Sequence, residues 1–338
     1  MPVSLVTGAA GFIGSHVVKS LLAAGHNVLA VDDLSGGFAD NVHPAAQFVE
    51  GSITDNDLVE SLFEQHEIEY VFHLAAYAAE GLSHYIRRFN YSNNVLGSVN
   101  LINQAVIHDV RRFVFTSSIA VYGEGQLPMS EDLVPRPEDP YGVAKYAVEL
   151  DLEAAQRQFG LDYTIFRPHN VYGEHQNIGD KYRNVVGIFM NQVMNGQPLT
   201  IFGDGSQTRA FSYIDDVAPV IAGSIDVPGT SGEVFNIGAD QPYSVKELAH
   251  VVCATFQVEP EIIHLPERNE VQHAYASHDK VRRFFDLANP ATLEVGVGRM
   301  ARWAGEVGAR TTEEFSGVEI WKDFPEGWLG SVTDGRAE

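Results

Sequence analysis

Residues 3–33, VSLVTGAAGFIGSHVVKSLLAAGHNVLAVDD, decide the fold. The stretch opens with a short β-rich apolar run and breaks into a glycine-spaced loop. It then carries Ile13, Val17, Val18, Leu21 and Leu22 at helical spacing and stops at Gly25, where a helix C-terminus favours glycine. A second apolar run, NVLAV, ends in Asp32 and Asp33, so the unit reads strand, helix, strand. Gly8, Gly11 and Gly14 fall between the first strand and the helix, with Phe12 and Ile13 at the helix start. Glycines placed there let the backbone turn tightly and approach a diphosphate, whose charge settles on free amides at the helix N-terminus. Asp32 closes the next strand about twenty residues on, where a carboxylate accepts from both ribose hydroxyls and repels a 2'-phosphate. Asp33 follows and no arginine lies nearby, so the dinucleotide expected is NAD rather than NADP.

The same rhythm continues outward through QFVEG, YVFHLA, RFVFTSS and DYTIFRP to Arg167. Alternation of this kind builds an α/β fold, a Rossmann-type doubly wound parallel sheet. Beyond Arg167 the rhythm loosens into glycine-rich and polar stretches, with helical patterns near 185–195, 215–226 and 244–256. The expected organisation is a NAD-binding domain over 1–168 with a returning segment at about 211–238. A smaller C-terminal substrate-binding domain takes 169–210 and 239–325, and 326–338 is a tail. From about Gly317 onward the chain is expected to be weakly held.

Twenty-two Lys and Arg stand against 45 Asp and Glu among 338 residues, a formal charge of -23. That balance argues against nucleic acid or an anionic membrane as partner, since both reward a basic surface. No run approaches the roughly 18 apolar residues of a spanning helix, and MPVSLVTG lacks a basic signal start, so a soluble cytoplasmic protein is expected. The single cysteine, Cys253, permits no intrachain disulfide and no cysteine-rich zinc site, and reads as a buried small apolar residue. The thirteen histidines show no metal-ligand spacing; His273 and His278 lie five apart, and no metal is expected.

Ser117 and Ser118 end the RFVFT run, and the next residues, Ile119 and Ala120, can do no proton chemistry. Farther on, YGVAK places Tyr141 and Lys145 four residues apart, on one face of a helix continued by Val148 and Leu152. A free tyrosine titrates near 10, so acting as a base at neutral pH requires lowering it by about three units, roughly 4 kcal/mol. The lysine charge at close range, helped by a positive nicotinamide, has the right sign and size.

Together, TGAAGFIG, HLAA, Asn93–Asn94, SSIAVYG, YGVAK, RPHNVYG and IFGDGSQTRAFSYIDDV make the chain resemble an extended short-chain dehydrogenase/reductase, specifically a nucleotide-sugar 4-epimerase, from residue 3 to about 290. The resemblance implies Ser118, Tyr141 and Lys145 as the catalytic set. The tyrosine takes the proton from the sugar 4-hydroxyl while hydride passes to NAD, and the 4-keto sugar turns over before the hydride returns. It assigns Leu74, Ala75, Ala76, Asn94, Ser117 and Pro168 to the cofactor, along with Ile53 and Ser52, the latter where many relatives carry an aspartate for the adenine. Asn170, Arg209 and Arg268 would hold the nucleotide diphosphate, Thr200 and Phe202 would flank a uracil, and Asn184 with Val185 would begin the helix beneath it. His169 reads as a packing residue.

The substrate so implied is a UDP-sugar, with dTDP open, and a homodimer is expected from the resemblance. Asn170 and Asn177 stand where uronate-specific relatives carry a threonine and an arginine, which favours a neutral hexose. Arg183 could instead reach a 6-carboxylate or pair with Asp180 or Glu174. Ala274 would tolerate a 2-acetamido group, so glucose, glucuronate and N-acetylglucosamine all stay admissible. Two rivals remain: a 4,6-dehydratase or decarboxylase, which by resemblance carries an acid where Ile119 and Ala120 stand, and a redox sensor, which tends to lose the tyrosine or lysine kept here.

Overall fold

The computed structural model describes residues 1–328 apart from 126, 268–270 and 312–314. In chain order, β1 (Val3–Thr7), α1 (Phe12–Ala23), β2 (Asn27–Asp32), β3 (Gln47–Glu50), α2 (Asn56–Gln65), β4 (Tyr70–His73), α3 (Glu80–Ser83), α4 (Arg87–Tyr91), α5 (Gly97–Ile107), β5 (Arg112–Thr116), α6 (Pro140–Phe159) and β6 (Tyr163–Pro168) form the first half. The second half continues with β7 (Val171–Tyr172), α7 (Val185–Met194), β8 (Leu199–Phe202), β9 (Thr208–Ala210), β10 (Ser212–Tyr213) and α8 (Ala218–Gly223). Then come β11 (Glu233–Ile237), β12 (Pro242–Ser244), α9 (Val245–Thr255), β13 (Ile262–Leu265), β14 (His273–Ala274), α10 (Asp279–Phe284) and α11 (Leu293–Val307).

Seven strands make one parallel sheet in the order β3-β2-β1-β4-β5-β6-β11. Strand order reverses between β1 and β4, which opens a crevice at their C-terminal ends. Both faces are covered, so the strands are apolar almost throughout. Leu5, Leu29, Val71, Phe113 and Ile165 point to one side, against Phe63, Leu101 and Leu152 of α2, α5 and α6. Val6, Ala30, Phe72, Val114 and Phe166 point to the other, against Val17 and Leu21 of α1, in a core continuous with Phe189, Leu248 and Met300 of α7, α9 and α11. One residue of register therefore decides which core a side chain joins.

The second half carries small pairings, β7 with β10, β8 with β13, and β12-β9-β14, and caps the crevice, while β11 returns to the main sheet beside β6. Its three longest helices start on side-chain caps: Asn184 for α7, a Ser244–Glu247 capping box for α9 and Thr292 for α11. The described residues after Gly317, up to Trp328, are not weakly held. Glu319 accepts from Arg88 N at 2.9 Å and Phe89 N at 2.8 Å, and Trp328 is 4% exposed, packed on Tyr85, Tyr182 and Phe324. These aromatics complete a cluster that lone-segment composition does not reveal; residues 329–338 lie outside the described ones. Among the described residues no helix is long and apolar enough to cross a membrane.

Candidate functional site

A cavity of about 590 Å³ opens in the crevice between the sheet and the cap. Its floor is the loop from β1 to α1. Gly8 has φ +71, and a Cβ there would lie 2.7 Å from Ala75 N; one on Gly14 would lie 2.0 Å from Gly8 O. Loop, helix and the wall after β4 are thus layered with no room for side chains. Gly11 begins α1 with no side-chain cap, so first-turn amides at the cavity-lining Phe12 and Ile13 stay available to an anion. Asp32 lines the cavity with its carboxylate fixed: Oδ2 accepts from Ala10 N at 3.0 Å and Oδ1 from Leu34 N at 2.8 Å. Burial raises its pKa and those amides oppose the rise. A diphosphate over the helix start with a ribose beside Asp32 fits this cradle, as NAD requires.

Under the wall, His73 meets Thr7 Oγ1 at 2.8 Å through Nδ1 and Ser98 Oγ at 2.7 Å through Nε2, and burial lowers its pKa to about 3, so a neutral ring pins the end of β4. Leu74, Ala75 and Ala76 then face the cavity. Two assignments change. Ser52 Oγ turns to Thr54, at 2.9 Å from its hydroxyl, and is not part of the lining, where Gly51 and Ile53 stand. Asn94 is 1% exposed and also not part of the lining; its amide accepts from Tyr77 N at 2.8 Å and donates to Tyr77 O at 3.1 Å. It shapes the wall through Tyr77.

The proton-handling residues converge from β5 and α6. Asp139 caps α6, accepting from Gly142 N at 2.8 Å, and Pro140 fixes the first turn, so Tyr141 is presented at the helix head. Ser118 Oγ accepts from Ala120 N at 3.1 Å, which leaves its O–H to donate to the Tyr141 oxygen. Lys145 lies one turn below, its Nζ donating to Thr116 O at 2.8 Å and standing 5.8 Å from the Tyr141 ring centroid. Burial lowers the Lys145 pKa to about 7, opposed by the charge of Glu149. Tyr141 departs from the sequence expectation: its pKa is raised, first by burial and then by the charge of Glu80. The Ser118 hydrogen bond and the charge of Arg183 counter only part of this.

A network missed from the sequence backs this set. Glu149, one turn past Lys145, accepts from Ser117 Oγ at 2.5 Å and pairs with Arg167, whose Nε donates at 2.9 Å. Arg167 Nη1 donates to Tyr122 OH at 2.7 Å, and Tyr122 OH donates to Asn236 Oδ1 at 2.8 Å. Ser117 therefore faces this network as well as the cavity. The spacing of four from Lys145 to Glu149 was the one available signal. Glu80 was missed too: it lines the cavity from the start of α3, exposed.

On the cap side, Pro168, His169, Asn170, Asn177, Asn184, Val185, Thr200, Phe202, Arg209 and Ala274 all line the cavity. Asn170 holds φ +41, a left-handed conformation that asparagine tolerates. His169 is 3% exposed, its Nδ1 2.9 Å from Ala210 O and its Nε2 3.0 Å from His278 Nε2, with its pKa lowered to about 3 by burial. Asn184 Oδ1 accepts from Val186 N at 3.0 Å, which starts α7 at the cavity. Arg183 pairs with Asp180 at 2.9 Å and also lines the cavity. Arg268 lies outside the described residues. Among the described residues no group of three or more His, Cys, Asp or Glu side chains is gathered to hold a metal ion.

The model of the NAD dependent epimerase/dehydratase family matches residues 4–238. A UDP-glucose 4-epimerase of Mycolicibacterium smegmatis is 36% identical over 307 residues, covering 88% of this chain and 96% of that one. A putative UDP-glucose 4-epimerase of Methanocaldococcus jannaschii is 35% identical over 302 residues, 88% and 97% respectively. The crystal structure of UDP-glucose 4-epimerase from Thermotoga maritima, solved with UDP-glucose, superposes with a TM-score of 0.85 at 34% identity, covering 90% of this chain and 99% of that chain. With its glycine cradle, Asp32 and the Ser118–Tyr141–Lys145 set drawn into one crevice, this chain belongs to the NAD-dependent epimerase/dehydratase family of extended short-chain dehydrogenases/reductases.

Proposed function

We propose that this protein interconverts UDP-glucose and UDP-galactose by inversion at C4. The observation that carries the reading is the gathering of Ser118, Tyr141 and Lys145, the last held by Thr116 O, in the lining of the NAD crevice beside apolar Ile119 and Ala120. NAD held by the glycine cradle and Asp32 would supply the acceptor and donor of the C4 hydride, and its positive nicotinamide would favour the phenolate that protein groups alone do not. Tyr141 receives the proton from the 4-hydroxyl as that oxygen becomes a carbonyl, and gives it back when C4 is reduced on the opposite face. Ser118 bridges the sugar oxygen and the phenol. Lys145, fixed by Thr116 O, holds positive charge beneath the tyrosine, and Glu149 sustains that charge.

One feature supports a neutral hexose: Asn170 and Asn177, which by the resemblance stand where uronate-specific relatives carry a threonine and an arginine, both line the cavity. On this reading Asn170 and Arg209, both in the cavity lining, contact the nucleotide, and Thr200 and Phe202 flank its base. The test is an NMR assay with UDP-glucose, UDP-glucuronate and UDP-N-acetylglucosamine. UDP-galactose should appear with no net change in NAD, and Tyr141→Phe should slow turnover by about 10²–10⁴-fold, the range of a lost acid-base catalyst. Unchanged substrate across all three sugars sinks the reading; a 4-keto-6-deoxy product would instead make the protein a dehydratase.

A further inference from the structure

Arg183 sits at the seam of the cavity, on the loop that leads into α7. Its guanidinium lies over the Tyr77 ring, 4.7 Å from the centroid, and its Nε is 2.9 Å from Asp180 Oδ2. The terminal nitrogens point to the far side: a Cβ built on Gly36 would lie 2.8 Å from Nη2 and 3.0 Å from Nη1. Gly36 belongs to the loop after β2, next to Gly37, where a Cβ would lie 2.4 Å from Ala10 C and 2.7 Å from Gly11 N. A cap arginine therefore ends in the dinucleotide half of the crevice, between the loop that follows Asp32 and the wall after β4.

The other Lys and Arg side chains among the described cavity lining are anchored away from the glycine loop. Lys145 donates to Thr116 O beneath Tyr141, and Arg209 donates to the carbonyls of Thr208, Gln272 and Val271. The glycine loop supplies amides but no charge, in a chain of net charge -23. A diphosphate bound there carries two negative charges, and a planar guanidinium with two terminal amino groups suits two phosphate oxygens.

We propose that Arg183 binds the diphosphate of NAD from the cap side, closing over it opposite the α1 amides, rather than a carboxylate of the sugar. Gly36 is the clearance that lets the guanidinium lie there. The proposal rests on the NAD cradle and on no choice of sugar.

Calorimetric titration of NAD, ADP-ribose and adenosine onto the protein, without any sugar present, tests it independently of the epimerase reading. Arg183→Gln should weaken NAD and ADP-ribose at least about tenfold, as expected for losing hydrogen bonds to a charged group, and leave adenosine within about twofold. Arg183→Lys should recover part of the loss. Gly36→Ala, whose methyl displaces only the flexible end of Arg183, should reproduce the defect, and the double variant should be no worse than Arg183→Gln. Wild-type NAD affinity in Arg183→Gln overturns the proposal, and a selective loss of UDP-glucuronate turnover in that variant would return Arg183 to the sugar. Equal weakening of adenosine also overturns it, leaving Arg183 a merely structural residue.

Discussion

Lys145 shows how a single residue can hold charge and burial in opposition. It is 3% exposed, and burial brings its pKa to about 7 from an ordinary lysine value of 10.5. Between those two values the unfolded chain binds more protons than the folded one, so this group makes the fold more stable as pH rises through that window. Lys145→Met should remove the effect. The variant should exceed the wild type in stability by a few kcal/mol at about pH 6.5 and lose that advantage progressively toward about pH 10, as read by urea unfolding. A pH-independent difference between the two proteins would refute this account of Lys145. Tyr141 stands one turn away with its pKa raised, so the pair as folded sets the lysine, not the tyrosine, closer to neutrality.

At the scale of an element, α6 does more than space Tyr141 from Lys145. Its Glu149 ties the helix to β6 through Arg167, with both side chains 5% exposed. Two charges out of water are held by complementary hydrogen bonds, and removing one partner strands the other. Glu149→Gln should destabilise the fold by about 3–5 kcal/mol and depress the Lys145 pKa further, since the carboxylate raises it. Chemical denaturation measures the first effect; a loss below about 1 kcal/mol would show that Arg167 finds another counter-charge. The helix itself was legible from YGVAK and its apolar spacing. Its link to Arg167 was not, because the two residues lie 18 apart in sequence and meet only when β6 is laid beside β5.

For the whole molecule, the aromatic cluster around Trp328 joins the end of the described chain to both halves. Trp328 packs on Tyr85 beside α3 and on Tyr182 of the cap, and Lys181 Nζ donates to Trp328 O at 2.8 Å. Tyr77 and Phe202, both in the cavity lining, belong to the same cluster. Trp328→Ala should cost about 3–5 kcal/mol of stability, the usual range for a buried aromatic, and weaken UDP-sugar binding through Phe202. Unfolding and nucleotide titrations on this one variant check both. Unchanged values in each would return the segment to the weakly held tail expected from its composition.

The sequence by itself determined the repeating units, the glycine cradle with Asp32, and the spacing of Tyr141 and Lys145, because strand and helix periodicity and short motifs are local properties. Only the tertiary structure decided what stands opposite them. It turned Ser52 toward Thr54 and placed Asn94 behind Tyr77. It carried Arg183 across the crevice to Gly36 and set Glu80 near Tyr141. Burial then reversed the expected direction of the tyrosine pKa, since desolvation depends on everything packed around a group and not on the residue four places along its helix.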